Sequence, residues 1–161
     1  MSNSSLCLPG EIQPQRLAPT PTNLNYSLGL PGGAYCLSTA RTFVRRLLDD
    51  HGLGDLTELA VLSASELLGN VCLFTSGGEV NLSVRWRFGV LRLTVFDDHP
   101  AHEGDVIGAC RERRLQALSM LQAFVDACDG ICGLAEAGGL LAGNKMWVVF
   151  TREAAKRYAR L

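Results

Sequence analysis

Two alternating segments set end to end decide most of what this chain is able to become. In "EVNLSVRWRF" the apolar residues Val80, Leu82, Val84 and Trp86 fall on one side, and in "VLRLTVFDD" Leu91, Leu93 and Val95 do the same. Gly89 stands between them where a tight hairpin needs a residue of positive φ. Strands that are apolar on a single face require cover on that face alone, so the pair predicts antiparallel neighbours beneath one layer of helices.

The flanking patterns supply that layer. "NLNYSLGL" alternates Leu24, Tyr26, Leu28 and Leu30 and stops at Pro31-Gly32-Gly33, a further half-buried strand. In "AYCLSTARTFVRRLLDDHGLG" Leu37, Ala40, Val44, Leu47 and Leu48 form a helical stripe, while Arg41, Arg45, Asp49 and Asp50 fall mainly away from it and Gly52 closes the helix. Asp55 stands three residues before Glu58, a capping-box spacing, and opens a second helix that runs to the Thr75-Ser76-Gly77-Gly78 turn. After Asp97 the periodicity stops: residues 99 to 111 read as an irregular segment, followed by a helical pattern with Leu115, Leu118, Leu121, Phe124 and Val125. "ICGLAEA", a Gly-rich turn and "KMWVVFT" complete the strands, and "REAAKRYARL" reads as a short amphipathic helix over 152 to 161.

The order β-α-α-β-β-loop-α-β-β predicts the α+β class, a two-layer α/β sandwich whose sheet is mixed but mostly antiparallel, with helices on one face. The domain is expected over residues 23 to 151. Residues 1 to 22, with Pro9, Pro14, Pro19 and Pro21 among polar side chains, are expected to be a tail with little structure of its own. At 161 residues and 47% hydrophobic the chain suits one domain with a real core.

Composition removes several function classes. With 15 basic against 16 acidic residues and a net charge of −1, nothing favours a nucleic-acid partner held by bulk charge. No uninterrupted apolar run approaches the roughly 20 residues of a membrane span. The opening "MSNSSLCLPGEIQPQ" has neither a basic n-region nor an h-region, so the expected location is the cytoplasm, away from membranes. Cys7, Cys36, Cys72, Cys110, Cys128 and Cys132 are mostly scattered singly in apolar stretches, as free thiols in a reducing compartment would be. Neither GxGxxG after the first strand nor a P-loop is present.

One polar pair is out of keeping with its surroundings. In "SELLGNVCLF" Glu66 and Asn70 lie four residues apart on one face of an otherwise apolar helix. Buried polar groups need partners. A carboxylate able to take a proton beside an amide oxygen able to ligate Mg²⁺ is one beginning of a phosphate-chemistry site; the exposed edge of an amphipathic helix is the other reading.

The series "ARTFVRRLL…GL", "LSASELLGNV", "LRLTVFDDHP" and "GNKMWVVF" closely resembles, over about residues 24 to 150, the GHKL (Bergerat-fold) ATPases and within them the small bacterial anti-sigma-factor serine kinases. By that resemblance Glu66 is the general base of an N box, Asn70 the ligand of the Mg²⁺ that bridges the ATP phosphates, and Asp97 the acceptor for the adenine amino group. Residues 99 to 116 are then the ATP lid, Leu115 and Ala117 stand at the positions of phosphate-cradling glycines, and Lys145 lines the nucleotide pocket. The resemblance implies ATP and Mg²⁺ as cofactors. It also implies serine/threonine kinase activity, and a sigma factor or an anti-anti-sigma protein as partner, with a homodimer as one arrangement.

The chain departs from that pattern where phosphate is gripped. Asp98-His99 replaces glycines after Asp97, Leu115 and Ala117 replace the GxGL-type turn, and Cys72, Leu73 and Phe74 replace the polar residues that commonly follow the N box. Arg113 or Arg114 offers compensating charge, although a solvated surface is the ordinary place for either. These departures support a second reading, a degenerate GHKL domain without nucleotide that works through a protein interface. A third class is a metal protein in which His99, His102, Cys110, Cys128 and Cys132 gather around Zn²⁺, though no spacing among them is a zinc signature and the last two read better as core. His51, His99 and His102 come with no nucleophile motif, which leaves a triad hydrolase without support.

Overall fold

The computed structural model describes residues 22–137 and 143–161. The expected tail, apart from Thr22, and most of the Gly-rich turn lie outside the described residues. Five strands, β1 (Asn23–Pro31), β2 (Glu79–Arg87), β3 (Val90–Asp97), β4 (Ile131–Glu136) and β5 (Asn144–Thr151), form one sheet in the order β1-β2-β3-β5-β4. Among the described residues every ladder is antiparallel, the limiting case of the mostly antiparallel, mixed sheet expected. Among the described residues five α-helices accompany it: α1 (Cys36–Asp50), α2 (Thr57–Phe74), α3 (Asp105–Ala117), α4 (Ser119–Ala127) and α5 (Arg152–Tyr158). The architecture is a two-layer α/β sandwich.

Alternation fixes the layers. Val80, Leu82, Val84 and Trp86 on β2, Leu91, Leu93 and Val95 on β3, and Met146, Val148 and Phe150 on β5 are buried in the main hydrophobic cluster. Ala40, Val44 and Leu48 from α1 and Leu59, Ala60, Leu67, Leu68 and Val71 from α2 meet them there. Phe88 and Gly89 take φ of 53° and 77°, the left-handed pair that reverses a two-residue hairpin between β2 and β3. At the end of α1, Gly52 at φ 67° carries the chain out of the helix and lets the Leu53 amide return to the Leu48 carbonyl at 2.8 Å.

The start of α2 differs from the expected capping box. A 3₁₀ turn, Gly54–Leu56, precedes α2, and no side chain caps it. Asp55 instead pairs with Arg152 on α5, and Glu58 with Arg45 on α1 at 2.9 Å. Tertiary partners outbid the local pairing because both carboxylates face neighbouring helices that carry arginine. Together, Gly54–Phe74 is a helix long and apolar enough, by length and composition, to cross a membrane, which inspection of uninterrupted apolar runs misses. Its most apolar window is 61% buried within the fold, as a core helix should be.

The segment after β3 also differs. Residues 99 to 111 are not irregular throughout, because α3 starts at Asp105 and the chain then breaks at Leu118 into α4. Leu115, expected on the apolar stripe, is exposed. No periodicity announced α3 because it buries a single side chain, and that side chain is an arginine.

Candidate functional site

That arginine, Arg114, organises the polar centre of the molecule. Asn70 projects from the inner face of α2, Asp97 ends β3 and Arg114 enters from the last turn of α3; their exposures are 2%, 4% and 1%. Arg114 Nε donates to Asn70 Oδ1 at 2.8 Å, and Asn70 Nδ2 donates to the Arg114 carbonyl at 2.9 Å. Arg114 Nη2 donates to Asp97 Oδ2 at 2.5 Å and also approaches Met146 Sδ at 3.6 Å. The guanidinium lies 5.9 Å from the centre of the Phe74 ring. Only Nη1 is left without a partner.

Asp97 is equally engaged. Its Oδ1 accepts from the backbone N–H of His99 at 3.1 Å and of Asn144 at 3.3 Å, while Oδ2 takes the arginine. One carboxylate therefore fastens the exit of β3 to the start of β5 and to α3. The close approach also demands glycine at Gly143, φ 106°, where a Cβ would run into the Asp97 carbonyl oxygen. Gly78, φ 85°, is constrained in the same way by the Asp98 carboxylate.

The other expected site residues are distributed unevenly. Glu66 is half-buried one turn before Asn70 and takes no part in the Arg114 network. Leu115 and Ala117 are exposed members of α3, in helical conformation rather than a glycine turn. Lys145 pairs with Phe96 on the sheet face turned away from the helices, its ammonium 6.0 Å from the centre of the Trp147 ring, whereas Asp97 pairs with Asn144 on the inner face. The structure thus brings Asn70 and Asp97 together through Arg114 and leaves Leu115, Ala117 and Lys145 apart from them.

In this arrangement the donors do not fit ATP with Mg²⁺. Asn70 Oδ1, the atom that would ligate the cation, accepts from a cationic guanidinium, and Asp97 Oδ2, one of the two oxygens open to an adenine amino group, is held by the same side chain. The expectation of a solvated Arg114 is corrected here, and the signal was present in the sequence. Arg114 precedes Leu118, Leu121, Val125 and Cys128 at alternating steps of four and three, on the stripe whose other members are all buried core.

A second group lies against the first. His99, buried beside Asp97, directs Nε2 at His102 Nε2, 3.0 Å away, and at Cys110 Sγ, 3.2 Å away. Its Nδ1 is 3.0 Å from the Phe74 carbonyl oxygen, an acceptor only, which places the proton on Nδ1. Burial, and then the Arg114 charge, pull the imidazole below its ordinary pKa. The cavity that these residues line, with Asp98, Ile107, Arg111, Glu136 and Asn144 among the others, measures about 490 Å³. Cys128 is core, and Cys132 donates to Gln122 Oε1 at 2.6 Å, so neither joins the histidines. The described cysteines are all free thiols.

Neither protein-family models nor curated protein sequences give a match to this chain.

Proposed function

We propose that this chain is a GHKL-type regulatory domain that has given up nucleotide and controls transcription, in the cytoplasm, by binding a protein partner: a sigma factor or the anti-anti-sigma protein that competes for it. The observation that carries this reading is Arg114 seated on both Asn70 and Asp97, the two side chains that the family resemblance assigns to Mg²⁺ and adenine. Desolvated ion pairs of this kind are costly to break, because withdrawing the arginine strands a buried carboxylate. A protein interface also has material: α3 presents Val106, Ile107 and Leu115 to solvent, and Leu73 is exposed next to the end of α2. Exposed apolar side chains grouped on one helix are a common ground for protein contact.

The kinase reading, with Glu66 as base and ATP·Mg²⁺ as donor, makes the opposite prediction about the same atoms. Calorimetric titration of ATP with Mg²⁺ into the full chain separates them. No saturable heat at millimolar nucleotide is expected from the wild-type chain. Saturable, Mg²⁺-dependent binding that is lost in both Asn70→Ala and Asp97→Ala would overturn the proposal and restore the kinase.

A further inference from the structure

The geometry points to a transition-metal site formed by His99 Nε2, His102 Nε2 and Cys110 Sγ, a structural Zn²⁺ position that clamps the loop after β3 to α3. We make this proposal independently of the functional reading above, since none of the three side chains belongs to the Asn70–Arg114–Asp97 network.

The donor atoms are already spaced for a shared ion. With metal–nitrogen bonds of about 2.0 Å and metal–sulfur bonds of about 2.3 Å, tetrahedral edges are about 3.3 to 3.5 Å. The two separations from His99 Nε2 are 3.0 and 3.2 Å, and all three donor atoms lie within 4.8 Å of one another. The two edges that meet at His99 need to open by only a few tenths of an ångström, and the third, between His102 and Cys110, joins two half-buried side chains that are able to adjust.

His99 is set up as a ligand rather than as a core histidine. A core histidine satisfies both ring nitrogens with permanent partners, whereas here Nδ1–H is held by the Phe74 carbonyl and Nε2 is turned, lone pair outward, into a cluster of two other ligand atoms. That is the outer-shell arrangement which fixes the tautomer of a metal-bound imidazole. The backbone N–H of His99 is fixed in turn by Asp97 Oδ1, so the ring is oriented from two directions.

The donor set selects the ion. Two imidazoles and one thiolate suit a borderline d-block cation, Zn²⁺ foremost, and not Mg²⁺ or Ca²⁺, which take oxygen. The fourth position opens on the cavity beside the cluster, where Asp98 and Glu136 stand on the wall and water has access. The positive charges of Arg111 and Arg114 lie on the same wall, but that of Arg114 is neutralised by Asp97 and the thiolate offsets a further charge on the metal.

The site would add a second tie between the exit of β3 and α3, and would bring the loop between them into it. His99 follows β3 directly, His102 lies in the connecting loop and Cys110 sits in the middle of α3, a helix that buries only Arg114. Ligation supplies α3 with a second anchor one turn before the arginine.

The test uses the full chain, freed of metal by chelator and kept reduced, and titrated with Co²⁺ and then Zn²⁺. One equivalent of Co²⁺ is expected to produce d–d absorption of tetrahedral intensity together with a thiolate-to-cobalt charge-transfer band, and one equivalent of Zn²⁺ to displace it and raise the Tm. Cys110→Ser should abolish the charge-transfer band, and Cys110→Ser and His102→Ala should each weaken binding at least tenfold, with metal-free Tm unchanged because both side chains are only half-buried. Cys132→Ser should behave as wild type. Absence of stoichiometric binding, cobalt spectra without the charge-transfer band, or binding unaltered in Cys110→Ser would each overturn the site.

Discussion

Arg114 Nη2 and Asp97 Oδ2 meet at 2.5 Å with side-chain exposures of 1% and 0%. An ion pair so far from water is retained at the expense of desolvating both charges, and it is stable only because the remaining lone pairs and protons are nearly all used. Asp97 Oδ1 takes two backbone amides and Arg114 Nε takes the Asn70 amide oxygen. The pair therefore acts as the joint at which β3, β5, α2 and α3 are fastened.

Removing the cation should be severe. Arg114→Met is expected to cost about 3 to 5 kcal/mol by leaving the Asp97 charge buried and alone. Adding Asp97→Asn should return part of that loss, giving a coupling above about 1 kcal/mol in a double-mutant cycle read by urea denaturation. Arg114→Lys should fall between, since a single ammonium does not reproduce the fork that reaches Asn70 and Asp97 at once. A change within about 0.5 kcal/mol for Arg114→Met would return this residue to the solvated surface.

Two glycines of positive φ should respond differently to alanine. Gly52 at φ 67° has open space around it, so Gly52→Ala should cost about 1 kcal/mol, the strain of the left-handed backbone alone. Gly143 at φ 106° would set its new methyl against the Asp97 carbonyl, and Gly143→Ala should cost at least twice as much. Thermal unfolding of the two variants compares them; equal Tm losses would mean that β3 and β5 do not approach here.

Along α2 the cost of truncation should follow burial, not residue type. Leu68 is fully buried against the sheet and Leu73, five residues later, is 74% exposed. Leu68→Ala should lose about 2 to 5 kcal/mol and Leu73→Ala less than about 0.5. Similar losses in chemical denaturation would place both leucines in the core.

Asp55 separates the expected helix cap from the observed ion pair. Paired with Arg152, both partners being well exposed, it should contribute under about 1 kcal/mol. Asp55→Ala and Arg152→Ala should then be sub-additive, because either change removes the same contact. Strict additivity would indicate that Asp55 acts on the α2 start independently of α5.

Thiol reactivity should rank by burial. Desolvation, then the Cys72 thiol, push Cys36 above the ordinary thiol range, and desolvation does the same to Cys128. A raised pKa means less thiolate at any given pH, so in the metal-free chain both should alkylate more slowly near neutrality than Cys110, which is less buried, on an open helix. Mass spectrometry of timed iodoacetamide reactions reads the order; modification of Cys36 or Cys128 ahead of Cys110 would contradict the packing described.

Much of the fold is legible in the sequence. The inward sets Val80–Trp86 and Leu91–Val95, the α1 stripe and the closing role of Gly52 all stand where alternation and helical periodicity put them. Those signals are local: each is a few residues long and is set by the geometry of one element. What failed was whatever depended on a distant partner. Asp55 and Glu58 had the spacing of a cap but found Arg152 and Arg45 instead, and α3 had no apolar stripe because its anchor is a charge.

The site divides in the same way. The sequence by itself singles out Glu66 and Asn70, because polar groups in an apolar helix must be satisfied if they are buried, whereas Asp97 is marked only by the family resemblance. The sequence also contains the four-three spacing that puts Arg114 on the stripe of Leu118, Leu121 and Val125, although a charged side chain there reads as solvated until its partner is known. Only the tertiary structure decided that one guanidinium serves both Asn70 and Asp97, and that His99, His102 and Cys110 share a single point while Cys128 and Cys132 do not. The physical reason is reach. Periodicity fixes which way a side chain faces along its own element, but whether two such directions converge depends on how β3, α2 and α3 are packed, and no local pattern encodes that distance.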